Sequence, residues 1–157
     1  MHSADKLIES IVLRYLTLLR YQHHFSHRLR KTLGVSGQQT AVLRYLANYG
    51  PRSVSEISRY LHIRDGTTSP LLERLEQAGL VQRHRSTQDC RRVLTEITPA
   101  GREIAAQAPK GPVARLRERL PTLTEEELVA IDAALARLMD IAHIDVSETT
   151  DRGEQPL

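Results

Sequence analysis

The sequence holds one cysteine, no tryptophan and only 4% aromatic residues. A single thiol excludes a disulfide framework within the chain and fits the reducing cytoplasm. With so few rings, packing must come from Leu, Ile, Val and Ala. An apolar fraction of 40% over 157 residues suffices for one domain with an attached helical segment. No apolar run approaches the ~18 residues of a membrane span. The N-terminus lacks a basic stretch followed by an apolar one, which argues against secretion. Also missing are a Gly-rich phosphate loop, a nucleophile motif with a partnered base, and an H-E-x-x-H pair. Enzyme chemistry is therefore not expected, and nothing calls for a cofactor.

What is present is arginine. The net charge is a modest +3, yet Arg83 to Arg92 holds four Arg and one His against the single acid Asp89. Such a cluster is an electrostatic footprint for phosphates, although an isolated Arg-rich loop can be no more than a solvated surface. The surroundings decide between the two.

Residues 5 to 33 read as one helix, with Ile8, Ile11, Tyr15, Leu18, Leu19, Gln22, Phe25 and Leu29 at helical spacing and no Pro or Gly between them. At ~1.5 Å per residue it is ~40 Å long, more than a small domain can cover. Its first half, IVLRYLTLL, is nearly all apolar and must be buried against something, such as a second chain. Gly34 ends this helix. Ser36-Gly37-Gln38-Gln39 and Ser53-Val54-Ser55-Glu56 are capping boxes that open the next two helices. Asp65 reads as the N-cap of a third, which runs to Gly79. Short helices in this succession, the last two joined tightly, form a helix-turn-helix. Leu80–Arg85 and Arg92–Ile97 then read as two strands around a polar turn, a hairpin in the position of a wing. Thr98-Pro99 starts another helix, Ala108 to Pro112 breaks it, and Thr124-Glu125-Glu126-Glu127 caps a final amphipathic one. The polar tail from Ser147 reads as disordered. The fold class is thus mostly α with a small β-wing.

A helix fits the major groove, and in a helix-turn-helix the second helix brings its N-terminal side chains to the base edges. Those candidates are Arg64, Thr67, Thr68 and Ser69, with Arg74 further along. Small hydroxyl residues also favour helix starts for purely local reasons. Pro70 leaves two readings open, a helix from Asp65 with the proline inside or one from Ser69 with the proline at its first position. In the hairpin, Arg83 and Arg85 are placed for phosphates. Arg91 and Arg92 are placed at the tip, where the negative potential of a minor groove draws Arg in. Asp89 lies two residues before Arg91, close enough to orient it. Together these point to double-stranded DNA. A winged helix that binds protein instead would expose apolar residues on the recognition helix and lack a basic wing.

At these residues the sequence resembles the MarR family of bacterial regulators. The likeness runs from about Gly34 to Gly101 and is strongest over GTTSPLLERLEQAGLVQRHRSTQDCRRVLTEITPAGREI, with the D-x-R wing signature as Asp89-Cys90-Arg91. The resemblance implies an obligate homodimer, with residues 1–33 and 108–146 as an interlocked helical dimerisation region and 34–107 as the winged helix-turn-helix. It implies a pseudo-palindromic operator, usually repression relieved by an effector, Arg91 in the minor groove with Asp89 orienting it, and a recognition helix from about Asp65 to Ala78. An effector cleft would lie where the first two helices meet the DNA-binding lobe, with Tyr21, His24, Gln39, Arg44 and Tyr45 as candidate lining. The DGTTSPLLERLEQAGLV stretch and the proline-flanked break also resemble the hydroperoxide-sensing branch, but that branch's first-helix Cys is absent, with Val12 near its place.

Two further features have a sharp reading and a plain one. Cys90 lies beside Arg91 and Arg92, where cations favour thiolate, and is either an oxidant sensor or an incidental surface thiol. His23 and His27 stand at i, i+4, a spacing that can serve zinc, but no third ligand is evident and a polar helix face is the commoner use. No metal site is expected.

Overall fold

The computed structural model describes residues 3–146, so the tail expected to be disordered lies outside the described residues. Helix α1 spans Ser3–Leu33, α2 Gly37–Tyr49, α3 Val54–Leu61 and α4 Asp65–Gln77. Strands β1 (Val81–Arg85) and β2 (Val93–Ile97) follow, then α5 (Pro99–Gln107), α6 (Pro112–Arg119), a short 3-10 turn (Leu120–Thr122) and α7 (Glu125–Ile141). The strands form one antiparallel hairpin, with Val81 opposite Ile97 and Arg85 opposite Val93. This is a winged helix-turn-helix, mostly α with a small sheet.

Local chemistry sets the boundaries. Ser36, Ser53 and Thr124 each accept the backbone N–H of the residue three ahead, whose own Gln or Glu side chain reaches back, so all three boxes satisfy donors the helices cannot. Thr98 caps α5, with Pro99 in the first turn. Gly34 leaves α1 with φ +70°, and its N–H closes on the Arg30 carbonyl at 3.1 Å. One boundary differs from expectation. The N-cap of α4 is Arg64, with no side-chain cap, and Asp65 is the first helical residue. The Asp65 carboxylate instead accepts the Ser55 hydroxyl at 2.9 Å, which draws it toward α3. Pro70 lies inside α4. Its missing donor would have met the carbonyl of Gly66, a residue with open space around its Cα where solvent can serve that carbonyl instead.

The main core lies among α2, α3, α4, the hairpin and α5. Val42, Leu43, Leu46, Ile57, Leu72 and Leu75 are fully buried there, joined by Val81 and Ile97 from the strands. A second, smaller cluster of Phe25, Leu29 and Ala108 fastens the C-terminal half of α1 to the break after α5. That approach is close: a Cβ on Gly111 would stand 2.6 Å from the Phe25 ring.

Beyond these clusters the helices present apolar side chains outward. Leu7, Leu13 and Leu18 of α1 are 61–66% exposed, and α7, with Val129, Leu135 and Ile141 exposed, buries none of its residues. At ~25 cal/mol per Å² of apolar surface, that much hydrocarbon left in water is a large unclaimed driving force for association.

Candidate nucleic-acid interface

Helices α3 and α4 are joined by a turn in which His62 takes the left-handed conformation (φ 56°) and Ile63 N–H reaches the Ser58 carbonyl at 3.1 Å. The two helices are bolted by one buried polar contact. The Ser58 hydroxyl donates to Thr68 Oγ1 at 2.8 Å, and Thr68 is bonded in turn to the Arg64 carbonyl at 3.1 Å. Thr68 is completely buried. It was expected to face the groove beside its neighbours, but its hydroxyl is spent on holding α4 against α3. Arg64, Thr67 and Arg74 are exposed, and Ser69 is half-buried.

The hairpin tip is folded by its own side chains. Ser86 is buried, and its hydroxyl accepts the N–H groups of Gln88 and Asp89 at 3.2 and 3.3 Å. Asp89 Oδ1 accepts the backbone N–H of Arg91 at 3.0 Å. The carboxylate therefore fixes the turn from which Arg91 projects, through the main chain rather than through its guanidinium. Arg91 and Cys90 are exposed at the tip, as is Arg85 on β1.

Two of the expected DNA ligands are engaged internally. Arg83 is half-buried with its Nε 3.5 Å from the Glu76 carboxylate of α4, and its Nε and Nη2 are buried without a hydrogen bond. It braces the hairpin against α4, which differs from the free phosphate ligand its sequence position suggests. Arg92 stands 3.4 Å from Glu56. Glu56 also accepts the Ser53 N–H at 2.8 Å, and that backbone bond is the main cause of its lowered pKa. The Ser53 hydroxyl and the charges of Arg92 and Arg52 act in the same direction, against a partial desolvation. Sequence reasoning missed Glu56 as the link between α3 and the wing. It also missed Arg52, whose backbone exchanges hydrogen bonds with Thr95 of β2 at 3.0 and 2.7 Å and adds a short third edge to the sheet.

A cleft of about 210 Å³ opens between the C-terminal half of α1, α2, the end of α3 and α6. Gln22, Phe25, Arg44, Tyr60 and Arg117 are among its lining residues, and no acid is. Of the expected lining only Arg44 is there. Tyr21 and His24 are exposed elsewhere on α1, Gln39 is used in the capping box on Ser36, and Tyr45 is stacked against Tyr60. Of the missed lining residues on α6, Arg117 sits in the stretch RLRER, where nothing distinguishes one Arg from the next. His23 and His27 are both exposed, and among the described residues no group of three or more His, Cys, Asp or Glu is gathered around them or elsewhere.

Comparison with known proteins bears on this arrangement. Residues 33–92 match the family model described as the MarR family. The chain is 30% identical to the HTH-type transcriptional repressor MdtR of Bacillus subtilis, over 98% of this chain and 99% of that protein. It is 31% identical to the organic hydroperoxide resistance transcriptional regulator of the same organism, over 71% of this chain and 74% of that one. Among solved structures it resembles Sco3205, a MarR family transcriptional regulator from Streptomyces coelicolor determined in complex with DNA. The TM-score is 0.61, with 21% identity over 93% of this chain and 94% of that one, a likeness of fold.

Proposed function

The chain belongs to the MarR family of transcriptional regulators, not to a family of enzymes, and from that premise we propose that it is a homodimeric repressor of a pseudo-palindromic operator. The observation that carries this reading is that the α4 N-terminus, with Arg64 and Thr67, and the hairpin tip, with Arg91, are both exposed. A helix end of that kind suits a major groove, and an arginine at the tip of a wing suits the adjoining minor groove. Ser69, Arg74 and Arg85 complete the surface. The name of MdtR, a repressor, favours repression over activation.

In this reading residues 34–107 form the DNA-binding unit, and residues 1–33 and 108–146 form the dimerisation region. The exposed apolar faces of α1 and α7 give the second copy its surface. Two facing copies would place two α4 helices about one helical turn of DNA apart, ~34–36 Å. The cleft beside Arg44 and Arg117, cationic and walled by Tyr60, suits a small anionic effector with a flat apolar body. A winged helix that binds protein is disfavoured by the polar, basic character of the exposed α4 and hairpin residues.

The test is binding of the full chain to DNA selected from a random pool, titrated across salt. Sequence-selective binding in the nanomolar range, a steep salt slope and two-fold symmetric protection are expected. Affinity no greater than for bulk DNA would refute the operator-binding reading.

A further inference from the structure

Arginine 117 makes contacts that neither the dimer nor the DNA surface requires. Its guanidinium, on α6, donates through Nη2 to the main-chain carbonyl of Tyr60 and lies 3.9 Å above the centre of the Tyr60 ring. The Tyr60 ring stacks on Tyr45 of α2, 4.0 Å away and 8° from parallel. Arg52 lies 5.9 Å from the centre of the Tyr45 ring, and its backbone is paired with Thr95 in the wing. A column of cation, ring, ring and cation thus runs from α6 through α3 and α2 to the base of the hairpin.

The position of Tyr60 gives the column its consequence. It lies in the last turn of α3, where main-chain carbonyls have no partner within the helix. One residue separates it from His62, whose left-handed turn leads into Arg64 and the recognition helix. Helix α6 buries none of its own residues, and its Val113 and Leu116 are exposed, so its hold on α3 falls on Arg117. A planar guanidinium can stack on a ring and donate to a carbonyl at once, whereas an ammonium is a compact charge that does one or the other well.

We propose that Arg117 is a positioning residue: through Tyr60 and the stacked Tyr45 it sets the angle at which each recognition helix and wing leave the dimerisation region, and so the half-site spacing the dimer accepts. This rests on the DNA-binding reading and goes beyond it by naming what fixes operator geometry. It predicts a defect in spacing discrimination, a property that neither a groove contact nor general stability controls.

The experiment uses the full chain and an operator selected by the wild type from random DNA, with variants in which one base pair is added or removed between half-sites. Arg117→Met should lose about tenfold in affinity for the selected operator, the scale of one charged hydrogen bond with a cation–ring contact. It should also bind the three spacings nearly equally, with dimerisation and bulk-DNA affinity unchanged. Arg117→Lys should recover part of both. With no tryptophan in the chain, near-ultraviolet circular dichroism reports chiefly on tyrosine and should change in Arg117→Met. Should that variant fail to fold, Tyr45→Leu interrupts the same column from α2 and should flatten the spacing preference likewise. Wild-type discrimination in either folded variant would overturn the proposal alone. A wild-type chain that selects no sequence would overturn the DNA-binding reading and this proposal with it.

Discussion

Replacing Arg91 by Ala separates the wing's outward function from its internal bracing. Arg91 is exposed at the tip, and its main-chain N–H, which the substitution retains, is the atom Asp89 holds. The turn should therefore survive while the guanidinium is lost. One Arg–DNA contact is worth about 1–3 kcal/mol, so two copies in a dimer make the loss at least about 2 kcal/mol, or roughly thirtyfold in Kd. Each cation withdrawn from a phosphate also lowers the salt slope by about 0.9, hence by nearly 2 per dimer. Fluorescence anisotropy on the selected operator between 50 and 200 mM salt, a range over which such slopes are read, measures both quantities. Arg92→Ala is the internal comparison. Its guanidinium is shared with Glu56, so part of its effect should appear as weakened capping of α3, with a smaller change in slope. If Arg91→Ala leaves affinity and slope at wild-type values while Arg92→Ala abolishes binding, the assignment of the wing contact is wrong.

Two predictions concern stability. Gly101→Ala would place a Cβ 2.1 Å from the Leu80 carbonyl oxygen and 2.8 Å from Ile97 Cγ1, where α5 crosses the start of β1. Overpacking against main chain costs about 3 kcal/mol and the better helix propensity of Ala returns about 1. Thermal unfolding should show Tm lower by about 4–8 °C, the shift expected of the remaining ~2 kcal/mol; an unchanged Tm would contradict the close approach. Glu56 titrates below its usual value of 4.5 because the folded state binds its charged form. Its contribution is present in full above the ordinary glutamate range and fades as pH falls through 4.5 toward the lowered folded value. Glu56→Gln keeps an acceptor for the cap but not the charge, so it should lose less stability than wild type between pH 6 and 3 in urea titrations. Equal losses would show that the carboxylate is not the titrating contributor.

The elements legible in the sequence are those decided within four or five residues. The Ser36, Ser53 and Thr124 boxes, the Thr98-Pro99 start and the Gly34 stop each need only local donors and acceptors, and each lies where the residues place it. Facing was not legible, because it is settled by what packs alongside. Thr67, Thr68 and Ser69 have similar chemistry, but each step around a helix turns ~100°, and the step to Thr68 meets Ser58. Arg83 and Arg85 share a strand face, yet Glu76 reaches only the first. The cleft lining differs from expectation for the same reason: Tyr45 stacks on Tyr60, and the second arginine that lines the cleft beside Arg44, Arg117, comes from a helix 72 residues beyond Tyr45. Asp65, the best capping residue by type, is displaced from that role because Ser55 is near enough to claim its carboxylate.

The distribution of buried side chains gives the two proposed units different dependence on each other. The DNA-binding unit closes its own core around Leu43, Leu46, Ile57 and Leu72. The helices around it do not: α1 is held by Phe25 and Leu29, and α6 and α7 bury nothing. What joins the units is therefore a small set of directional contacts, among them Gly37 N–H to Ser26 Oγ at 3.1 Å, Arg44 to the Ala108 carbonyl at 2.7 Å, and Arg117 to Tyr60. A junction made of so few polar bonds is held to an angle rather than by bulk packing, and can be reset by a few kcal/mol. The cleft lies at that junction, with both of those arginines in its wall. The proposed anionic effector would compete there with the Ala108 and Tyr60 carbonyls for the same guanidinium groups. Binding and release of the proposed anion would then act on the proposed angle directly, without the core of either unit having to rearrange.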